Sequence, residues 1–311
     1  MEITFLGTGA AMPTVERNLS AVNINFEGGN YLFDAPECVQ RQIVKAEISY
    51  LKIDAIFLSH FHADHILGLT GLLATMIMQD RQNELYIFGP KGVNEKVNEM
   101  IKLGKLNVDF EIIAKEIKEG VILKEKNFRI EAVRLKHGCK CYGFIFKEKD
   151  KLGKFQREKA LALGIPEGPL FSKLQEGKTI KLGNKTIKPQ DVLDLEKGRK
   201  GRKVAIIIDT RKDEHYIKKI KNCDILIHEA TFLHELINRA KETKHSTALE
   251  AAEVAKKAGC KKLYLTHLSA RYKNAKVFEE EARKVFANSF VAKDLMRIKV
   301  ERNPEGRVLK V

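Results

Sequence analysis

No stretch of the 311 residues approaches the roughly 18 uninterrupted apolar positions that a membrane helix needs, so no membrane partner is expected. Also missing is a basic, apolar, cleavable leader, because Met1 runs straight into the strand-like "EITFLGTGA"; a cytoplasmic protein is the expectation. Cysteine is scarce and odd in number. Cys38, Cys139, Cys141, Cys223 and Cys260 are mostly isolated, which argues against a disulfide framework and for reduced thiols. Only Cys139 and Cys141 lie close together, and one intervening residue is not the usual spacing of a zinc site.

What is present is a hydrophobic content of 44%, enough for a proper core in a chain of this length. The formal net charge is +15, from 56 Lys plus Arg against 41 Asp plus Glu, a surplus that favours polyanionic partners. It is unevenly spread. Residues 147 to 203 carry 16 basic and 8 acidic side chains, and so hold about half of the excess. Charge alone fits a solvated insertion as well as it fits a nucleic-acid contact.

The N-terminal part reads as strands and turns, with "EITFLG", then "AVNINF" and "NYLFD" joined at Glu27-Gly28-Gly29. "DAIFLS" is a short apolar strand ending at His60, and "LGLTGLLATMIM" has helical spacing. "FRIEAVRLKH" and "CYGFIFKE" are two further strands turning at His137-Gly138. After residue 203 the same grammar resumes in "KVAIIID", "CDILIHE" and "KKLYLTH". Between the last two lies a helix, with Thr247 and Glu250 in capping-box spacing and Gly259 at its end. Two halves of strands followed by helices predict an α/β layered sandwich, a single domain over 1–311. Residues 148 to 202, rich in Gly, Pro and Lys, break the pattern and read as an inserted arm within that domain.

His60-Phe61-His62-Ala63-Asp64-His65 puts four ligand-type side chains into six positions between a strand and a helix. Neutral imidazoles and a carboxylate suit zinc, and four such groups in one turn cannot all wrap one ion, which argues for two. Other strand ends must then complete the shells. His137, Asp209, His228 and His267 each close an apolar run. His245 stands just before Ser246-Thr247 at the start of the capped helix, where an imidazole, hydroxyls and a helix N-terminus would meet one phosphate.

The H-x-H-x-D-H turn resembles the mark of the metallo-β-lactamase superfamily. Within it the chain is similar to the ribonuclease Z family of tRNA 3′-processing endonucleases over essentially its whole length. The likeness rests on "FLGTGAAMPTVERN", "HEATF", "KHSTALEAA" and, most specifically, "LGIPEGPLFSKLQEG" in the arm.

The resemblance implies an αββα sandwich with an inserted, protruding arm and two Zn2+ per subunit; by its donor chemistry a His-rich carboxylate site would also take Mn2+, Fe2+ or Co2+. It assigns His60, His62 and His137 to one ion and Asp64, His65 and His267 to the other, with Asp209 bridging. His228 falls outside the ligand set, beside Glu229 behind it. Asp64 is implied to accept the proton of the attacking water, and His245, oriented by Glu229, to donate one to the leaving oxygen. The products are a tRNA 3′-hydroxyl and a trailer 5′-phosphate. The arm, with Gly164, Gly168 and Pro169, is implied to grip precursor tRNA, one subunit of a homodimer serving the other's active site. Arg17 and Asn18 belong to a loop that the family uses at the tRNA 3′ end, where Val15 replaces the usual lysine. With Ser246 and Thr247 they complete the expected substrate contacts. The metal site alone also permits another hydrolase of the superfamily, acting on a small phosphodiester, thioester or aryl ester, or an RNA-binding protein without turnover.

Overall fold

The computed structural model describes residues 1–308. It divides into two compact units, one comprising Met1–Glu125, Arg129–Phe146 and Lys203–Val300, the other Lys126–Phe128, Lys147–Arg202 and the stretch from Glu301.

The first unit contains two seven-stranded sheets. In one, the spatial order is Arg297–Lys299, Glu2–Gly7, Ala21–Phe26, Gly29–Phe33, Ile53–Phe57, Leu85–Gly89 and Ile112–Glu116. In the other it is Ser289–Val291, Lys262–Thr266, Ile225–Glu229, Lys203–Ile207, Lys140–Glu148, Phe128–Lys136 and Gly120–Lys124. The period-2 alternation of strands explains how each sheet buries both faces. Phe33 and Phe57 point at Phe144 of the other sheet, with ring centroids 5.4 and 5.7 Å away. Their neighbours Leu32 and Ile56 pack instead among Ile43, Leu72 and Val97 of three helices, Val39–Lys45, Leu69–Met78 and Val93–Leu103. On the second sheet Ala205, Leu226 and Leu263 pack against the helix Ala248–Ala258 and against Phe278 of Lys276–Arg283.

That helix starts as its sequence predicts. Thr247 accepts from the Glu250 N–H while the Glu250 carboxylate accepts from the Thr247 N–H, and Gly259 ends the helix at φ 65°. The strands 203–207, 225–229 and 262–266 run parallel in direct register; 29–33, 53–57 and 85–89 are also parallel, with one register shift between Asn30 and Tyr31. Parallel strands deliver their C-terminal ends to one edge, which is where open α/β sheets place ligands.

The second unit has a small core of its own. Ala160, Ile165, Leu174, Ile180, Ile187 and Val192 are buried together. The elements carrying them include the helices Arg157–Ala162 and Pro169–Gln175 and the hairpin Ile180–Leu182 with Lys185–Ile187. Gly168 precedes Pro169, the first residue of its helix, at φ 129°, a conformation only glycine adopts readily. Gly164, at φ 79°, has the same requirement. Arg202 and Glu148 form a charge-assisted pair, Nε to Oε2 at 2.6 Å, with both side chains largely buried. A run of basic residues interrupted by short apolar positions thus supports ordered structure.

No helix among the described residues is long and apolar enough to cross a membrane.

Candidate metal centre

The groups of the centre come from strand ends or from the turns after them, all after parallel strands except His137, which follows the antiparallel strand Phe128–Lys136. Ile53–Phe57 leads into His60, Lys203–Ile207 into Asp209, and Lys262–Thr266 into His267. Asp34, Asp209 and His267 take positive φ values of 61°, 21° and 56°, a conformation non-glycine residues adopt only where surrounding contacts hold it.

Two groups of side chains face one another. His62 Nδ1 lies 3.0 Å from His60 Nε2 and 3.3 Å from His137 Nε2. Asp64 Oδ2 lies 3.5 Å from His65 Nε2 and 3.6 Å from His267 Nε2. The Asp209 carboxylate touches both groups. Its Oδ2 is 3.7 Å from both His60 Nε2 and His137 Nε2 and 3.5 Å from His65 Nε2, and its Oδ1 is 3.1 Å from His267 Nε2.

The second nitrogen of each buried or half-buried ring is already occupied, which fixes the tautomer. His65 Nδ1 donates to Asp34 Oδ2 at 2.7 Å, and the same carboxylate accepts from the Ser59 N–H and hydroxyl. With its proton committed to Asp34, the Ser59 oxygen accepts from His60 Nδ1 at 2.9 Å. His137 Nδ1 donates to the Lys244 carbonyl at 3.3 Å, and His267 Nδ1 to Thr231 Oγ1 at 2.9 Å. All four rings therefore turn an Nε2 lone pair inward.

Three of these inward atoms, His65 Nε2, His267 Nε2 and Asp209 Oδ1, are buried without a hydrogen-bond partner. Such orphans are costly unless something else satisfies them. Imidazole nitrogens and carboxylate oxygens within 4.8 Å of one another are the donor set of a divalent cation, and the residues fit one. Burial and the neighbouring His65 push His60 down to about 2, against the pull of Asp209, so its ring is neutral as a ligand must be. Burial disfavours the Asp64 carboxylate, but the closeness of His267 and His65 outweighs it and holds its pKa well below the usual range.

Beside this centre, His245 Nδ1 lies 3.0 Å from Oε1 of the fully buried Glu229. Glu229 also accepts from the Thr210, Thr231 and Ser246 N–H groups and from the Thr231 hydroxyl. Burial opposes charge on both partners, yet their attraction wins: Glu229 is held down to about 2 and His245 up to about 9. Cationic charge on the adjoining ligands would bring the second value down. His62, Asp64, His137, His245 and His267 line one cavity of about 450 Å³ together with Phe232, Arg239 and Arg271.

The seven ligand-type residues expected from the sequence converge, and Glu229 and His245 adjoin them. Other expectations need correction. Ser246 and Thr247 are fully buried; the Ser246 hydroxyl donates to the Thr210 carbonyl and Thr247 is engaged with Glu250, so neither is open to a phosphate. His228 does not stand behind the ligands either. Neighbouring residues of a strand face opposite sides, and its ring meets Tyr216 Oη at 3.0 Å in the helix-facing core. Arg17 donates to Thr8 Oγ1 and the Ala292 carbonyl, and Asn18 to the Glu37 carbonyl. Both anchor the loop whose Ala11 N–H holds Asp64 Oδ2 at 3.1 Å, while Val15 is fully exposed.

Asp34, Ser59 and Thr231 are the functional residues that sequence reasoning passed over. Asp34 had a signal, since it closes "NYLFD" as Asp209 closes its own strand.

Comparison with known proteins adds the family. A model described as Anti-Pycsar protein Apyc1 matches residues 1–153, which include the histidine-rich turn. A relative from Methanosarcina acetivorans named Ribonuclease Z is 41% identical over 306 residues, spanning 98% of this chain and 100% of its own. The chain belongs to the ribonuclease Z family. Among solved structures, human tRNase Z, short form, superposes with a TM-score of 0.70 at 27% identity, covering 97% of this chain and 100% of the human one. The metallo-β-lactamase fold protein YhfI of Bacillus subtilis superposes at 0.68 with 20% identity, covering 96% and 98%. The two helix-backed sheets of this ribonuclease Z family member are thus the metallo-β-lactamase fold, and its centre sits at their strand ends.

Proposed function

We propose that the chain is an endoribonuclease that removes the 3′ trailer from precursor tRNA, leaving a 3′-hydroxyl on the tRNA and a 5′-phosphate on the trailer. The observation that carries this reading is the convergence of seven metal-type ligands with three buried, unsatisfied donor atoms. The substrate class comes from family membership and from the human relative's name, tRNase Z.

The donors fit two zinc ions per subunit: His60, His62 and His137 for one, Asp64, His65 and His267 for the other, with Asp209 between them. The same nitrogen and oxygen donors accept manganese, iron or cobalt. Bound there, such ions would polarise a phosphoryl oxygen and lower the pKa of water to near neutrality. The remaining work falls to the protein's own groups. Asp64, lining the cavity, accepts the proton of the attacking water. His245 donates a proton to the leaving 3′ oxygen, and Glu229, which does not reach the cavity itself, positions its ring. Arg239 and Arg271 supply positive charge to phosphates flanking the cut.

Residues 148 to 202 act as the arm that grips the tRNA body, their lysines and arginines contacting phosphates without regard to base. Gly164, Gly168 and Pro169 set the shape of the arm's helical segment. A cytoplasmic homodimer, in which one subunit's arm serves the other's centre, completes the reading.

Metal analysis of the purified protein, paired with cleavage of a labelled precursor, tests it. About two equivalents of metal per chain, with cleavage lost on chelation and restored by zinc, is the expected outcome. A metal-free protein that cleaves equally well contradicts it.

A further inference from the structure

Away from the centre, the core beneath the helix Ala248–Ala258 holds two cysteines in contact. Cys223 is fully buried and Cys260 is 6% exposed, and their Sγ atoms lie 3.0 Å apart across 37 positions of sequence. Backbone hydrogen bonds fix both. Lys261 N–H donates to the Cys223 carbonyl at 3.0 Å, Asn222 N–H to the Ala258 carbonyl at 2.7 Å, and Cys260 N–H to the Ala255 carbonyl at 3.0 Å. The approach of the sulfurs is therefore a property of the fold. The remaining thiols have other surroundings: Cys38 and Cys139 are exposed, and Cys141 Sγ lies 3.8 Å from His60 Nδ1.

We propose that Cys223 and Cys260 are the site of an intrachain disulfide, formed when the chain meets a small disulfide of the glutathione class. The Cys260 thiol, the more accessible, loses its proton to solvent, and its sulfur attacks one sulfur of the reagent and expels a thiolate. The Cys223 sulfur, losing its own proton, then attacks the Cys260 sulfur and expels the second thiolate. Two protein thiols are oxidised, and one reagent disulfide is reduced to two thiols. A modest rotation of the side chains closes the gap to the roughly 2.05 Å of a bond.

The placement gives the bond a structural consequence. Cys223 lies just before the strand Ile225–Glu229 and Cys260 just before Lys262–Thr266, and these strands are parallel neighbours in the register Ile225 to Lys262. The bond ties their entry ends together, while their exit ends lead to Glu229 and His267. Constraining the unfolded chain through this loop raises the unfolding midpoint by on the order of 5 °C.

The test incubates the full chain with oxidised glutathione, alkylates the remaining thiols in denaturant and maps peptides without reduction. A linked Cys223–Cys260 peptide pair, alkylation confined to Cys38, Cys139 and Cys141, and a rise in melting temperature absent from Cys223→Ala and Cys260→Ala would establish the site. The same incubation during refolding from urea removes any barrier of access. Alkylated Cys223 and Cys260 after both treatments, or an equal rise in the two alanine variants, would overturn it. Neither readout involves RNA, so the outcome stands apart from the proposed activity.

Discussion

Asp34 Oδ2 lies 2.7 Å from Nδ1 of His65, so a carboxylate at the end of one strand fixes the ring of a residue in the turn after its parallel neighbour. Such outer partners set ligand orientation and basicity, and their loss typically costs 10–100-fold in metal affinity. Asp34→Asn is therefore expected to weaken zinc binding by about that factor. Competition with a chromogenic chelator measures it, and affinity equal to that of the unaltered protein counts against the role of Asp34.

His245 and Glu229 predict a division between chemistry and binding. Replacing His245 with Ala should slow single-turnover cleavage by roughly 10²–10⁴-fold, the range for loss of a general acid, while the Kd for precursor tRNA stays within a factor of two or so. Glu229→Gln should also lower the rate at unchanged Kd, because it acts by holding the His245 ring. An unchanged rate in His245→Ala removes that residue from the mechanism.

Ser246 should behave as a structural residue. Its buried hydroxyl donates to the Thr210 carbonyl at 2.6 Å, so Ser246→Ala leaves that acceptor unsatisfied at a cost of about 1–2 kcal/mol. Urea denaturation should show the loss while KM is unchanged; a raised KM with full stability would reinstate Ser246 as a substrate contact.

The pair Glu148 and Arg202 gives a pH-dependent prediction. Burial alone would raise the Glu148 pKa, but the hydrogen bonds and charge of Arg202 prevail and hold it below the ordinary value. A carboxyl with a depressed folded-state pKa contributes stability that is present above its unfolded value of about 4.3 and is lost as pH falls through the folded value. Arg202→Ala should thus cost roughly 1.5–3 kcal/mol at neutral pH, and the difference from the unaltered protein should shrink below about pH 4. Denaturation midpoints measured from pH 7 to 3 check this, and a constant difference contradicts it.

Deletion of residues 151 to 199 separates substrate capture from chemistry. Precursor processing should be abolished while hydrolysis of a small phosphodiester continues. Loss of both activities would mean that the segment supports the fold.

Sequence legibility followed the physics of burial. Strands buried on both faces, such as "KVAIIID" and "KKLYLTH", are continuous apolar runs and read directly, and each delivers its ligand one or two positions beyond its end. Ile112–Glu116, half-exposed and ending in Lys-Glu, did not stand out, nor did the short run Leu85–Gly89. The second unit escaped as an ordered body because its core is built from single apolar residues several positions apart, from Ala160 to Val192. The ligands were legible because unusual residue types cluster at strand ends. Asp34 carried the same strand-end signal, but Ser59 and Thr231 carried none, since their role lies in which atom they face; the same holds for Ser246, whose burial no local pattern reveals.

The measurement that tests the central claim most directly is end analysis of the products from a precursor tRNA with a labelled 3′ trailer, using the zinc-loaded protein and its Asp209→Ala variant. The account predicts one cut at the tRNA 3′ boundary, leaving a 3′-hydroxyl and a 5′-phosphate, with cleavage by the variant reduced by at least about 10²-fold. An intact precursor, a cut elsewhere, or undiminished cleavage by Asp209→Ala would contradict it.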